Sequence, residues 1–321
     1  MRRVRKVLDS RIRKVLDSRR FFRNWMQLAI NDLRLEPGLI HGMLGLREES
    51  KEEMRVKCRT GGEAIITPLM YRLILLWRNS IRLIYCRDGL RLYTRRGDWV
   101  SFKFEQGHYV INGVKFKRIY ATLKEVFLEK VYGDDNYGKS ILDIGAYVGD
   151  TALYFASTGA RHVYAVEPHP IAYNELLENI KLNNHNNWRI ATLNAGVSHI
   201  PGRLRIQPAG LEVIKSQNYR DNPPQGDYVE LITLSELKDR VIKAFPDFGF
   251  DVLKMDCEGC EYDIILDNYE EVKQFREIIM EAHPINGRKI TDLLKQLRSD
   301  YECNDAIDAD LTAMIHCHRV T

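Results

Sequence analysis

The run Ile141-Leu-Asp-Ile-Gly-Ala-Tyr-Val-Gly149 decides the fold. A short apolar strand, Ser140–Asp143, leads into a glycine-containing turn and then a helix through Leu153 and Phe155. Gly145 lets the chain turn sharply off the strand and lets a ligand approach the backbone. Gly149 lets the following helix sit close by. Asp143 falls at the carboxyl end of the strand, where open α/β sheets bind their ligands. The dinucleotide fingerprint G-x-G-x-x-G is not met, because position 147 is Tyr, so NAD is disfavoured. A nucleoside without phosphates that carries a positive sulfonium suits these residues better. Asp143 supplies negative charge near that cation or its amino group. Glu167, 24 residues on at the end of the second strand, is placed to accept bonds from both ribose hydroxyls. A helix-capping Asp and a solvated Glu are the plain alternative.

Working outward, strands and helices alternate to the C-terminus. His162–Val166, residues 189–193, Val252–Met255 and Glu277–Met280 read as strands. Helical faces run near Tyr173–Ile180, Leu234–Phe245 and Ile290–Leu297, and Tyr301–Asn304 with Ala313–His318 form a closing hairpin at the sheet edge. Such alternation predicts a parallel sheet covered on both faces. Upstream the pattern changes. From Leu69 to Phe116 short alternating runs surround turn signals, with Asn112-Gly113 the strongest, and predict a small antiparallel unit. Ala121–Val131 reads as a helix, and residues 25–64 as short helices and loops. The expected division is a basic arm (1–24), an accessory region (25–133) and a ligand-binding domain (134–321).

The chain has 321 residues, long enough for one large domain with an extension or for two domains. Its 48 Lys and Arg against 44 Asp and Glu conceal a split: residues 1–133 hold 29 against 14, a net +15, and the remainder 19 against 30, a net −11. Different partners for the two parts, or docking of one on the other, both fit. An octet, VRKVLDSR at 4–11, is followed directly by IRKVLDSR at 12–19. As a basic amphipathic helix it suits RNA, an anionic membrane surface or an acidic partner; as an unanchored tail it suits none. The start of the chain has no apolar core of a secretory signal, and the greasiest stretch, residues 65–85, carries Arg72, Arg78 and Arg82. Six cysteines are too few for a disulfide scaffold and look like those of a reducing compartment, as small buried hydrophobes. These features predict a soluble, cytoplasmic protein and leave a homo-oligomer open.

The segments LDIGAYVGDTALYFA (142–156), VYAVEPHP (163–170), NAGVS (194–198), VLKMDCEGCEYDIIL (252–266) and MEAHP (280–284) resemble those of FkbM-type S-adenosylmethionine-dependent methyltransferases. The K-x-D-x-E-G-x-E core, Lys254, Asp256, Glu258, Gly259 and Glu261, is the most specific of them. The resemblance covers roughly 120–321 and not 1–65. It implies a class I, Rossmann-like fold with a seven-stranded, mostly parallel sheet, and methyl transfer from S-adenosylmethionine, usually to a hydroxyl of a sugar or natural product. It also implies that Asn194 and Ala195 touch the adenine side of the cofactor, although Asn194 can equally satisfy local backbone groups.

Asp143, Gly145, Gly149, Glu167, Asn194 and Ala195 are therefore the expected cofactor residues. On the acceptor side Asp256, Glu258 and His283 fall at or after carboxyl ends of predicted strands, with Glu261 and Glu281 beside them. A direct proton acceptor, a divalent cation with Asp256 as ligand, and simple capping of the next helix each account for so many acids on one rim. His169 and His185 read as solvated helix-end residues. Two rivals remain. One is an RNA methyltransferase whose basic half binds phosphates, although Asp221-Asn-Pro-Pro224 lacks the aromatic residue of base-modifying enzymes. The other is a non-catalytic nucleoside-binding protein of the same fold.

Overall fold

The computed structural model describes residues 18–24, 26, 53–205, 228–283, 287–307 and 312–320. Most of the octet repeat, the helices expected within 27–52 and the Asp221–Pro224 loop lie outside the described residues. The chain divides into two compact units, residues 1–130 and 131–321.

In the first unit, strands β1 (Met54–Lys57) and β2 (Glu63–Ile66) pair antiparallel, where the sequence reading expected short helices and loops up to residue 64. Their alternating burial places Val56, Ala64 and Ile66 in the core. Helix α1 (Pro68–Leu76) follows, so the antiparallel unit begins later than Leu69. The run Leu69–Leu76 lacks a period of two, and its start is well specified. The Thr67 hydroxyl accepts from the Met70 amide at 3.2 Å, and Pro68 brings its fixed φ to the first turn. Strands β3 (Ile81–Arg87), β4 (Gly89–Thr94), β5 (Trp99–Glu105), β6 (His108–Ile111) and β7 (Val114–Phe116) then form a meander in chain order. Asn112 and Gly113 both take positive φ, 48° and 85°, as a two-residue hairpin turn requires. The expected helix at Ala121–Val131 is a short π-helical segment, Lys124–Glu129. Tyr71, Trp77, Phe102, Phe116 and Phe127 fill the core of this unit.

The second unit is built on β8 (Ser140–Ile144), β9 (His162–Val166), β10 (Ile190–Leu193), β14 (Val252–Met255), β15 (Glu277–Ala282), β16 (Tyr301–Ile307) and β17 (Ala313–Arg319). The sheet order is β10-β9-β8-β14-β15-β17-β16, parallel except at β17, which pairs antiparallel with both β15 and β16. Every residue of β8, β9 and β14 is buried, which explains why they are mostly apolar and why their charged members, Asp143 and Lys254, pair with each other. The connecting helices are α2 (Asp150–Ser157), α3 (Pro170–Leu182), α4 (Leu234–Ala244), α5 (Cys260–Asp267), α6 (Tyr269–Val272) and α7 (Ile290–Leu297). Thr233 and Glu236 start α4 with a reciprocal capping box. A small sheet of β11 (Gly196–Val197), β12 (Gly202–Arg205) and β13 (Tyr228–Ile232), unforeseen in the sequence, sits between β10 and α4 in the chain. This is a Rossmann-like, class I methyltransferase architecture with its closing hairpin where the sequence placed it. Among the described residues no helix is long and apolar enough to cross a membrane.

The cysteines correct the sequence reading. All six are paired: Cys58–Cys86, Cys257–Cys260 and Cys303–Cys317, with Cα separations of 5.6, 5.5 and 4.0 Å. Cys303 and Cys317 are direct partners across the β16–β17 hairpin. Cys86 stands on β3, 28 residues from its partner. Four of them, Cys58, Cys86, Cys260 and Cys317, are buried as expected, but none is a free thiol.

Candidate functional site

The chain leaves β8 towards β9 on one side, while β14 pairs with β8 on the other. The carboxyl ends of β8, β9, β14 and β15 therefore meet at a switch point, where an open sheet offers a crevice. Gly145, at φ 80°, stands in the turn after β8; a Cβ there would lie 1.8 Å from the Asp256 carbonyl oxygen. What this glycine admits is thus the loop after β14. Gly149, at φ 85°, would press a Cβ to 3.1 Å from the Leu176 side chain, so its close neighbour is α3 rather than α2.

Asp143 is fully buried and does not stand open to the crevice. The Lys254 ammonium lies 2.8 Å from its carboxylate, and the Thr151 hydroxyl donates to it at 2.6 Å. Lys254, from the middle of β14, also donates to the Gly145 carbonyl at 2.8 Å. Burial works against the ammonium, but Asp143 and then Asp256 outweigh it and hold its pKa above the ordinary lysine value. The acid expected beside a cofactor's cation is the counterion of an internal lysine.

Glu167 is nearly buried at the end of β9. One carboxylate oxygen accepts from the Tyr147 amide at 2.8 Å, the other from the His169 amide at 2.7 Å. Burial pushes its pKa up to about 7 against the lowering effect of those two amides. Each oxygen keeps a second lone pair, the acceptor set a pair of ribose hydroxyls needs. Asn194 donates to the carbonyls of Glu167 and Pro168 at 2.8 and 3.0 Å, the local backbone bonds that the sequence left as its alternative role. Ala195 is fully buried in the core of the unit. His169 corrects another expectation: it is buried, and its ring accepts from the Ala172 amide to cap α3.

The second half of the crevice lies after β14 and β15. Tyr132 donates its hydroxyl to Asp256 at 2.8 Å, a contact between residues 124 apart that no local sequence signal reveals. Glu258 adopts a left-handed φ of 56° between the two cysteines of the Cys257–Cys260 disulfide. Glu261, fully buried, accepts from the Cys257 amide at 2.9 Å through one oxygen, while the other has no hydrogen-bond partner among the described residues. Burial pushes the Glu261 pKa up to about 7. The His283 ring nitrogen lies 3.6 Å from Glu281 and 3.8 Å from Glu258. Burial, then the nearby Asp256 carboxylate, raises the Glu281 pKa. The ligand-type atoms of Asp256, Glu281 and His283 all fall within 4.8 Å of one another. Such a set can take a proton from a hydroxyl or hold a divalent cation against one.

A family model described as the methyltransferase FkbM domain matches residues 143–304. Among solved structures, the FkbM methyltransferase of Methylobacillus flagellatus is 16% identical with a TM-score of 0.40; the match covers 57% of this chain and 44% of that one. This chain thus matches less than half the length of that protein. A putative RNA methyltransferase of Pyrococcus horikoshii is 12% identical, with 64% and 87% covered and a TM-score of 0.34. A human methyltransferase 10 domain-containing protein is 12% identical, with 64% and 88% covered and a TM-score of 0.39.

Proposed function

Because the chain belongs to the FkbM family of S-adenosylmethionine-dependent methyltransferases, we propose that it transfers the cofactor's methyl group to a hydroxyl of a sugar or small natural product. The observation that carries this reading is the rim formed by Asp256, Glu258, Glu281 and His283, directly across the switch point from the Glu167 turn. Bound there, S-adenosylmethionine supplies an electrophilic methyl on a sulfonium.

The protein's own part is alignment and removal of one proton. Glu167 accepts from the ribose hydroxyls. Asn194 fixes the backbone that carries Glu167, and buried Ala195 keeps the adjoining turn close. Asp143 acts through Lys254, whose second bond to the Gly145 carbonyl pins the turn after β8; it is a positioning residue. Gly145 and Gly149 let β14 and α3 close on that turn. On the acceptor side Asp256 or His283 takes the hydroxyl proton, with Glu258 orienting the imidazole. Asp256, Glu281 and His283 also fit a divalent cation that would bind and acidify the hydroxyl.

Asp256→Asn and His283→Ala should each lower turnover by roughly 10²–10⁴ while leaving cofactor affinity nearly unchanged. Loss of turnover on chelation, restored by a divalent cation, would assign the metal form. Normal turnover in both variants and with chelator would remove the acceptor assignment. An RNA methyltransferase using the basic half, or a nucleoside-binding protein without turnover, would show as label in RNA or as no label at all. The cytoplasmic location expected from the sequence stands against three disulfides, which persist in oxidising compartments. Counting free thiols in protein from its native source decides between them.

A further inference from the structure

The outer face of β3, β4 and β5 carries half-open aromatic rings beside exposed arginines. Pairing registers set them in three rows across the strands: Leu83–Tyr93–Trp99, then Tyr85–Arg91–Ser101, then Arg87–Gly89–Lys103. Strand alternation sends the intervening Ile84, Cys86, Leu90, Leu92, Val100 and Phe102 into the core. Outside, Trp99 is 53%, Leu83 45% and Tyr85 40% exposed. The Trp99 ring contacts both tyrosines, with centroids 4.9 Å from Tyr93 and 5.4 Å from Tyr85. One end of the face is thus an aromatic cluster and the other is basic. Gly89 leaves Arg87 and Lys103 with no side chain between them.

Arg87 and Arg91 are exposed, and no ion pair to either is found among the described residues. Of the acids nearby, Glu105 is paired with Lys103 at 2.6 Å, and Asp98 with Lys130 and Arg96. Asp88 lies in the β3–β4 turn. Cross-strand contact accounts for some of the aromatic packing. It does not account for arginines left unpaired beside rings that remain half open.

We propose that this face binds an anionic polysaccharide, with sugar rings lying on Trp99, Tyr85 and Tyr93 and their carboxylates or sulfates taken by Arg87 and Arg91. The planar guanidinium matches such groups with two parallel bonds, and basic patches serve heparin-like glycans as well as nucleic acids. Single-stranded RNA offers comparable charge and stacking. The disulfide from β3 itself, Cys58–Cys86, favours the glycan, because the unit is cross-linked as proteins of oxidising, glycan-rich compartments are. The proposal is independent of methyl transfer, since it rests on the first unit alone.

The test is binding of the full-length oxidised chain to alginate and heparin, with dextran and polyuridylate alongside, by calorimetry. Alginate or heparin should bind and dextran should not. Arg87→Glu with Arg91→Glu, and separately Trp99→Ala, should each weaken binding by roughly tenfold or more. Melting curves would verify that both variants fold, as expected for exposed positions. In the unmutated chain, bound polysaccharide should protect Trp99 from oxidation, mapped by mass spectrometry. No binding, or binding unchanged in either variant, would overturn the proposal; the latter would place it on basic residues elsewhere. Tighter binding to polyuridylate, lost in the same variants, would overturn it in favour of an RNA surface.

Discussion

Lys254 and Asp143, on neighbouring strands and both buried, form an ion pair at 2.8 Å directly beneath the turn that carries Gly145. The pair joins the two sides of the switch point, because the same ammonium holds the Gly145 carbonyl. Removing one member of such a pair leaves an uncompensated buried charge.

Lys254→Met should therefore lower stability by about 3–5 kcal/mol in urea unfolding. Adding Asp143→Asn to it should recover a large part of the loss. A double variant no more stable than the single one would show that the lysine matters for its bond to Gly145 and not for the charge.

Cofactor binding should depend on Glu167. Hydrogen bonds to a charged group contribute roughly 1.5–3 kcal/mol each, so Glu167→Ala should weaken S-adenosylmethionine binding by about tenfold or more. Calorimetry at pH 8, above the raised pKa of about 7, reads this directly, and unchanged affinity would remove the ribose assignment.

Stability should fall as pH rises through neutrality, because of two groups. Burial raises Glu167 and Glu261 from 4.5 to about 7, so in this window the folded state holds protons that the unfolded state has released. Their stabilising contribution is full below 4.5 and is lost as pH passes about 7. Glu261→Gln should raise the Tm at pH 8 relative to the parent and flatten the difference between pH 8 and pH 5.5. Parallel pH profiles for parent and variant would contradict a raised Glu261.

How much of this was legible beforehand depended on whether the cause was local. Ile141–Gly149 displayed its strand, turn and helix because apolar run, glycine and helical spacing are local signals. Val252–Met255 and Ile290–Leu297 came out with their observed ends for the same reason. Glu167 was placed correctly at the end of β9, but its contacts with the Tyr147 and His169 amides depend on how two loops fold together. The sequence placed Asp143 at its strand end but could not show the cross-strand bond to Lys254, which depends on sheet register. The disulfides were hidden likewise, since Cys303 and Cys317 meet only through hairpin register. The Met54–Ile66 hairpin was missed because its strands are only four residues long and the Gly61-Gly62 pair between them reads as a break.

The cysteines give a clean chemical readout. Alkylation of the chain from its native source, unfolded but not reduced, should label none of its six cysteines, and all six after reduction. Loss of the Cys58–Cys86 link by Cys58→Ser with Cys86→Ser should cost about 2–4 kcal/mol in the first unit. Labelling without reduction would restore the reading of free, buried thiols.

The central claim, methyl transfer to a hydroxyl, is tested most directly by incubating the purified chain with methyl-labelled S-adenosylmethionine and fractionated extract, then analysing the labelled product. A methyl ether on a sugar or small hydroxylated compound is the expected result, formed by the parent and not by His283→Ala or Asp256→Asn. Label confined to RNA, or no transfer to any fraction by protein that binds the cofactor, would contradict it.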